Sequence, residues 1–120
     1  MALSAIVLGT VLSVVDGDTI KVNINNCNYK VLCENMPVRF AGIDAPELKG
    51  ACDKEKELAL KAKQLVEENY KVGDSVNLEK AKRDNHFRLL SHQDVIATRL
   101  MQSGLAVKYN GRGAKHDWCK

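Results

Sequence analysis

The chain has 120 residues, 45% of them apolar, and carries a formal net charge of +3. That length suits one domain over residues 1–120 with a single core, and the apolar content excludes a disordered chain. With 5% aromatics, a broad base-stacking surface of the RNA-recognition type is excluded as well, while the mild positive charge permits an anionic partner without demanding one.

No stretch is long enough to span a bilayer, so no membrane partner is expected. Met1 to Val15 is apolar, but it lacks a basic leading segment and is interrupted by Ser4, Gly9, Thr10 and Ser13. It reads as a buried strand over residues 4–15, with a bulge at Gly9, and not as a signal peptide. Asp16-Gly17-Asp18 is a turn, and Thr19 to Asn25 alternates Ile20, Val22 and Ile24 with polar residues, as a half-buried strand does. Residues 25–35 form an excursion before a third strand, Val38 to Ile43, which Ala45-Pro46 stops.

The period then changes. Leu58, Ala62, Leu65, Val66 and Tyr70 mark one face of a helix from Asp53 to Asn69, with Lys54, Glu55, Glu57, Lys61, Lys63, Glu67 and Glu68 mostly on its solvated side. Gly73-Asp74 turns into a strand at Ser75 to Glu79, and Phe87 to Leu90 is another short strand. Asp94 is placed to N-cap a short helix with Ile96 and Leu100 inward, and Gly104 ends it. Leu105 to Tyr109 reads as extended, followed by a tail ending in Trp118-Cys119. Three strands, a helix and two more strands is the element order of a five-stranded OB-type Greek-key barrel, an α+β fold with two or three helices.

The cysteines are Cys27, Cys33, Cys52 and Cys119, and their spacing fits no zinc finger or ribbon. Of three connectivities, Cys27–Cys33 with Cys52–Cys119 is favoured. The first staples a local loop, and the second ties the chain end to the start of a helix, an effect of roughly 4 kcal/mol or less. Disulfides imply an oxidising compartment, secreted or periplasmic. Four buried free thiols in a cytosolic protein is the alternative.

The chemistry-bearing residues are Asp18, Arg39, Asp44, Glu47 and Arg88. Asp18 and Asp44 sit at strand ends beside turns, where their hard oxygens suit a hard divalent cation. A planar guanidinium matches two phosphate oxygens at once, so Arg39 suits a phosphodiester. Taken alone, each has an ordinary explanation: aspartates in turns, a glutamate at a helix approach, an arginine in an ion pair. Arg88, flanked by Phe87 and Leu89, needs a partner, and a structural carboxylate would serve. His86, His92 and His116 show no metal-binding spacing, and His116, near Trp118, is expected simply to pack on the tail.

Together these residues carry a resemblance. Val15-Asp16-Gly17-Asp18-Thr19-Ile20, Val38-Arg39 through Glu47, Asp84 through Arg88 and Gly104-Leu105-Ala106 resemble the staphylococcal nuclease (thermonuclease) family, from the first strand to Tyr109. Cys52 and the terminal Trp118-Cys119 resemble a cysteine-bearing bacterial branch of it, which also supports the Cys52–Cys119 pairing. The resemblance implies Ca²⁺-dependent hydrolysis of DNA and RNA by a monomeric OB domain, with single strands preferred. It implies Asp18, Asp44 and the main-chain carbonyl of Ala45 as Ca²⁺ ligands; only backbone is used at Ala45, so threonine or alanine serves there. Glu47 would position or deprotonate the attacking water, and Arg39 and Arg88 would hold the scissile phosphate. The chain departs from the family pattern at Asn85 and His86, where Lys and Tyr are common, and between Arg88 and Gly104, where it is shorter, so a short last strand–turn is expected. Tyr109 is a candidate base-stacking residue, or simply a tyrosine at the barrel edge.

Two other classes compete with a nuclease. A non-catalytic OB module binding nucleic acid or protein would bind an oligonucleotide without cutting it. A small disulfide-bonded structural or inhibitor protein would gain no thermal stability from calcium, because only a ligand selective for the native state raises it.

Overall fold

The computed structural model describes residues 7–84 and 86–120; residues 4–6 of the expected first strand, and Asn85, lie outside them. In chain order the elements are β1 (Leu8–Asp16), β2 (Thr19–Ile24), α1 (Lys30–Cys33), β3 (Met36–Phe40), β4 (Ile43–Asp44), α2 (Asp53–Asn69), β5 (Ser75–Asn77), β6 (Glu79–Arg83), β7 (Leu89–His92), α3 (Asp94–Gln102) and β8 (Val107–Lys108).

The branched residues of β1 and β2 pair antiparallel in a hairpin that closes at Asp16 opposite Thr19. Register shifts fall between Val11 and Ser13 and between Val14 and Asp16, not at Gly9, and such bulges bend and twist a strand. Gly9 instead lies flat in the ladder between Ile24 and Val76, where a Cβ would stand 3.2 Å from the Val22 side chain.

The main sheet runs β5-β1-β2-β3-β7-β6. Its two outer strands, β5 and β6, are separated in sequence only by Leu78, which is buried. One chain segment therefore supplies both edges, and the sheet curls to bring them together. Counting β5 and β6 as one strand bent at Leu78 recovers the five strands of the expected α+β, OB-type arrangement. The Gln93 side-chain amide donates to the Asn77 carbonyl at 2.8 Å and the Ser91 hydroxyl to the Glu79 carbonyl at 2.9 Å, tying this corner to β7 and α3.

Inside the curl, Val11, Ile20, Val22, Met36, Val38 and Phe40 pack with Ala62 and Val66 of α2 and Ile96 and Leu100 of α3. Each fully buried Ile, Leu or Phe contributes roughly 1.5–3 kcal/mol relative to exposure. The Phe40 ring stacks on Tyr70 with centroids 5.6 Å apart, and burial pushes the Tyr70 phenol up to about 12.

Local differences from the sequence reading have physical causes. The third strand starts at Met36 and stops at Phe40, because Gly42 at φ 85° turns the chain and sends Ile43 and Asp44 into a separate ladder with β8. The fifth strand lies at Leu89–His92 and not Phe87–Leu90, since Phe87 takes a left-handed φ of 54° and points its ring to solvent. It runs almost directly into α3, the short connection that was expected. Gln93, not Asp94, occupies the N-cap of α3, and Asp94 is its first residue, where a carboxylate favours the helix dipole. Gly104 at φ 72° ends that helix, with the Leu105 amide donating back to the Leu100 carbonyl at 2.8 Å. Both expected disulfides are present, Cys27–Cys33 with Cα atoms 6.1 Å apart and Cys52–Cys119 at 6.0 Å. No helix among the described residues is long and apolar enough to cross a membrane.

Candidate functional site

The β1–β2 turn and the β2–β3 ladder place Asp18 beside Arg39. Thr19 pairs with Arg39, and the Phe40 amide donates to the Asp18 carbonyl at 2.7 Å. The Arg39 side chain, 7% exposed, is fixed by main-chain acceptors: Nη1 donates to the carbonyls of Ile43 at 3.0 Å and Phe40 at 3.3 Å. Its Nη2 faces two carboxylates, Asp18 Oδ2 at 3.7 Å and Asp44 Oδ1 at 3.8 Å. These are ion-pair distances, too long for hydrogen bonds.

The two aspartates differ in how they are satisfied. Asp18 Oδ1 accepts from the Thr19 hydroxyl at 2.9 Å and Oδ2 from the Ala45 amide at 3.3 Å. Asp44, 2% exposed, accepts from the Trp118 indole at Oδ2, 3.3 Å away, while its Oδ1 is buried with no hydrogen-bond partner among the described residues. Burial pushes the Asp44 carboxyl above the usual carboxylate range, and Asp18 adds repulsion; the Trp118 hydrogen bond, Lys115 and Arg39 pull the other way.

Glu47 sits in the loop between β4 and α2, and that loop is anchored from both sides. Glu55, on the first turn of α2, accepts from the Glu47 amide at 3.0 Å and the Ala51 amide at 3.1 Å. Asp16 Oδ1 accepts from the Leu48 amide at 3.2 Å. Burial raises the Asp16 carboxyl above its ordinary value, with the Leu48 bond opposing and the charges of Asp18 and Glu47 adding to the rise. The Glu47 side chain is half-exposed and meets Lys115 Nζ at 3.2 Å. Gly17 leaves room for α2 to dock on this turn, because a Cβ there would stand 2.6 Å from the Ala62 Cβ and 3.3 Å from the Ala45 Cβ.

Arg88 does not join the cluster by any hydrogen bond or ion pair among the described residues. Its Nε is bonded to Asp84 Oδ2, and its amide to Asp84 Oδ1 at 3.3 Å. It stands one residue before Leu89, which pairs with Val38, so it is next to the strand that carries Arg39. Burial opposes ionisation of Asp84, but the Arg88 side chain and the amides of His86 and Arg88 hold its carboxyl below the usual range.

Asp18, Arg39, Asp44 and Ala45 thus come together, Glu47 lies on the adjoining anchored loop, and Arg88 is held separately. Among the described residues no group of three or more His, Cys, Asp or Glu could hold a metal ion, so a cation here would rely on Asp18 and Asp44 plus main-chain or water oxygens. Sequence reasoning missed Asp16, Glu55, Lys115 and Trp118. Asp16 looked like a turn residue and Glu55 like solvated helix surface; only their hydrogen bonds to the Glu47 loop show otherwise. His116 packs within the tail, edge-on against Trp118 with centroids 4.5 Å apart. The Tyr109 hydroxyl donates to the Gly113 carbonyl at 2.9 Å, and the ring lines a groove of about 650 Å³ with His92, Asp94, Met101 and Lys108, a groove that contains none of the five candidate side chains.

No curated protein sequence matches the chain. A family model described as staphylococcal nuclease homologue matches residues 37–118, a span that takes in Arg39, Asp44, Glu47, Arg88 and Trp118 and leaves Asp18 upstream. Because that match covers well over half of the chain, the chain belongs to the staphylococcal nuclease homologue family, whose members are mainly nucleases.

Proposed function

We propose that the Asp18–Arg39–Asp44 cluster is the Ca²⁺ site of a phosphodiesterase that hydrolyses DNA and RNA, with single strands preferred. The observation that carries this is Asp44 Oδ1, a buried carboxylate oxygen without a hydrogen-bond partner, facing the same guanidinium nitrogen as Asp18. A buried unpaired acceptor is costly unless a ligand completes it, and hard carboxylate oxygens suit a hard cation. Asp18, Asp44 and the Ala45 carbonyl would hold the ion. When bound, it supplies a positive charge that polarises the phosphoryl group and neutralises charge building on its oxygens.

The protein's own groups divide the remaining work. Arg39 is oriented through Nη1, and its Nη2, which makes no hydrogen bond at its present distances, is the donor offered to a phosphate oxygen. Glu47, held by its loop anchors, orients the attacking water and accepts its proton at the carboxylate. Arg88, steadied by Asp84 at Nε, keeps its terminal nitrogens to stabilise charge on the equatorial oxygens. The disulfides fit an oxidising compartment, secreted or periplasmic.

A non-catalytic OB module that binds nucleic acid or protein is the second reading. It is favoured by the pairing of Arg88 with Asp84 and of Glu47 with Lys115. Digestion of single-stranded DNA in Ca²⁺, Mg²⁺ and chelator decides between them. Cleavage in Ca²⁺ that vanishes in chelator is expected, with Glu47→Gln and Arg39→Ala each slowing it by about 10²–10³. Full activity in chelator removes the calcium nuclease, and binding without cleavage in Ca²⁺ selects the module.

A further inference from the structure

The residues after β8 return across the candidate site. Lys115 Nζ lies 3.2 Å from Glu47 Oε1, and the Trp118 indole donates to Asp44 Oδ2 at 3.3 Å. Trp118 is 7% exposed, and the next residue, Cys119, is covalently bonded to Cys52. Cys52 is the N-cap of α2, the helix whose Glu55 holds the Glu47 amide. A closed circuit results: Asp44 and Glu47 to the start of α2, through the disulfide to the tail, and back to both carboxylates.

We infer that Trp118 is a positioning residue for Asp44, held in place by the Cys52–Cys119 disulfide, so that the oxidation state of this disulfide sets the cation affinity of the site. The inference rests on the reading of Asp44 as a cation ligand and adds to it a regulator of that ligand.

The chemistry of the indole fits the task. Indole is a donor only and carries no charge. It occupies one oxygen of Asp44 without cancelling the negative charge, and it leaves Oδ1 as the oxygen without a partner. A lysine or arginine there would neutralise the ligand; an amide would add an acceptor. Partners that orient a metal ligand through its other atom typically contribute about ten- to a hundredfold in metal affinity.

Apart from the disulfide, the tail is held by non-covalent contacts: Trp118 on Asp44, Lys115 on Glu47, the Tyr109 hydroxyl on the Gly113 carbonyl and the Lys54 ammonium on the Lys120 carbonyl. Between β8 and Trp118 it contains Gly111 and Gly113, both at positive φ, and no helix or strand. A dithiol reductant would deliver two electrons and two protons to the Cys52–Cys119 bond, leaving two thiols and becoming a disulfide itself. The tail would then be tethered only by its non-covalent contacts, and the Trp118 hydrogen bond would be populated less of the time.

Calorimetric titration with CaCl₂ tests this on the whole chain. Trp118→Phe, which keeps an aromatic ring but removes the donor, is expected to bind Ca²⁺ about ten- to a hundredfold more weakly. Its kcat on single-stranded DNA should recover at saturating Ca²⁺. The double variant Cys52→Ser/Cys119→Ser should behave similarly, whereas Cys27→Ser/Cys33→Ser should bind as the native chain does. Trp118 is the only tryptophan in the chain, so its emission in the native protein should change saturably with CaCl₂, and this readout needs no variant to fold. Native-like Ca²⁺ affinity in folded Trp118→Phe, or calorimetric binding with no change in native emission, overturns the positioning role. If the native chain binds no Ca²⁺, the reading of the site itself has failed.

Discussion

The Leu48 amide donates to Asp16 Oδ1 at 3.2 Å, and this bond fastens the loop carrying Glu47 to the end of β1. It gives Asp16 a task beyond the hairpin turn. Asp16→Ala should lower kcat about fivefold, the equivalent of roughly 1 kcal/mol of lost positioning. Asp16→Asn keeps an acceptor oxygen at the same place and should retain most of the rate. Initial rates on single-stranded DNA for the two variants check this, and equal losses would contradict it.

Gly17 is present for space. Its would-be Cβ stands 2.6 Å from Ala62 on α2, and that helix cannot retreat without loosening the core around Val66. Gly17→Ala should destabilise the fold by about 1–3 kcal/mol, the usual effect of overpacking. Thermal unfolding reads this directly. An unchanged Tm would mean that the helix yields freely at this contact.

Acid stability should report on Asp84. Its carboxyl is held below the usual range by Arg88 and by two amides, against the effect of burial. A carboxylate whose folded value is depressed contributes stability that is fully present above its unfolded value, about 3.9, and is lost as pH falls through the folded value. Asp84→Asn should therefore lower stability at neutral pH by roughly 1–2 kcal/mol and flatten the loss of stability below about pH 4. Denaturant unfolding across that range checks both, and an acid limb as steep as the native one would contradict the assignment.

What could be read in the sequence follows from where the determining contacts lie. The β1–β2 hairpin and α2 were legible because their signals are local: alternation of Ile20, Val22 and Ile24, and a helical face through Leu58, Ala62, Leu65 and Val66. β6 was not, since Glu79-Lys80-Ala81-Lys82-Arg83 is almost wholly charged and exposed. It is a strand because its backbone pairs with β7, and charge suits an edge strand. The meeting of Asp18, Arg39 and Asp44 was legible only through ordered motifs, because no periodicity links a turn aspartate to one 26 residues on. Trp118 was invisible for the same reason in stronger form. Its partner Asp44 is 74 residues away, and the tail between β8 and Trp118 has no regular pattern.

On the proposed reading, Asp18 and Asp44 jointly bind a calcium ion beside Arg39. Calorimetric titration of CaCl₂ into metal-free native protein, Asp18→Asn and Asp44→Asn, each first shown to unfold cooperatively, tests it most directly. One Ca²⁺ per native chain is expected, with affinity reduced by about a hundredfold or more in either variant, since each loses a charged ligand from a two-carboxylate site. Native-like calcium binding by either folded variant would contradict the account.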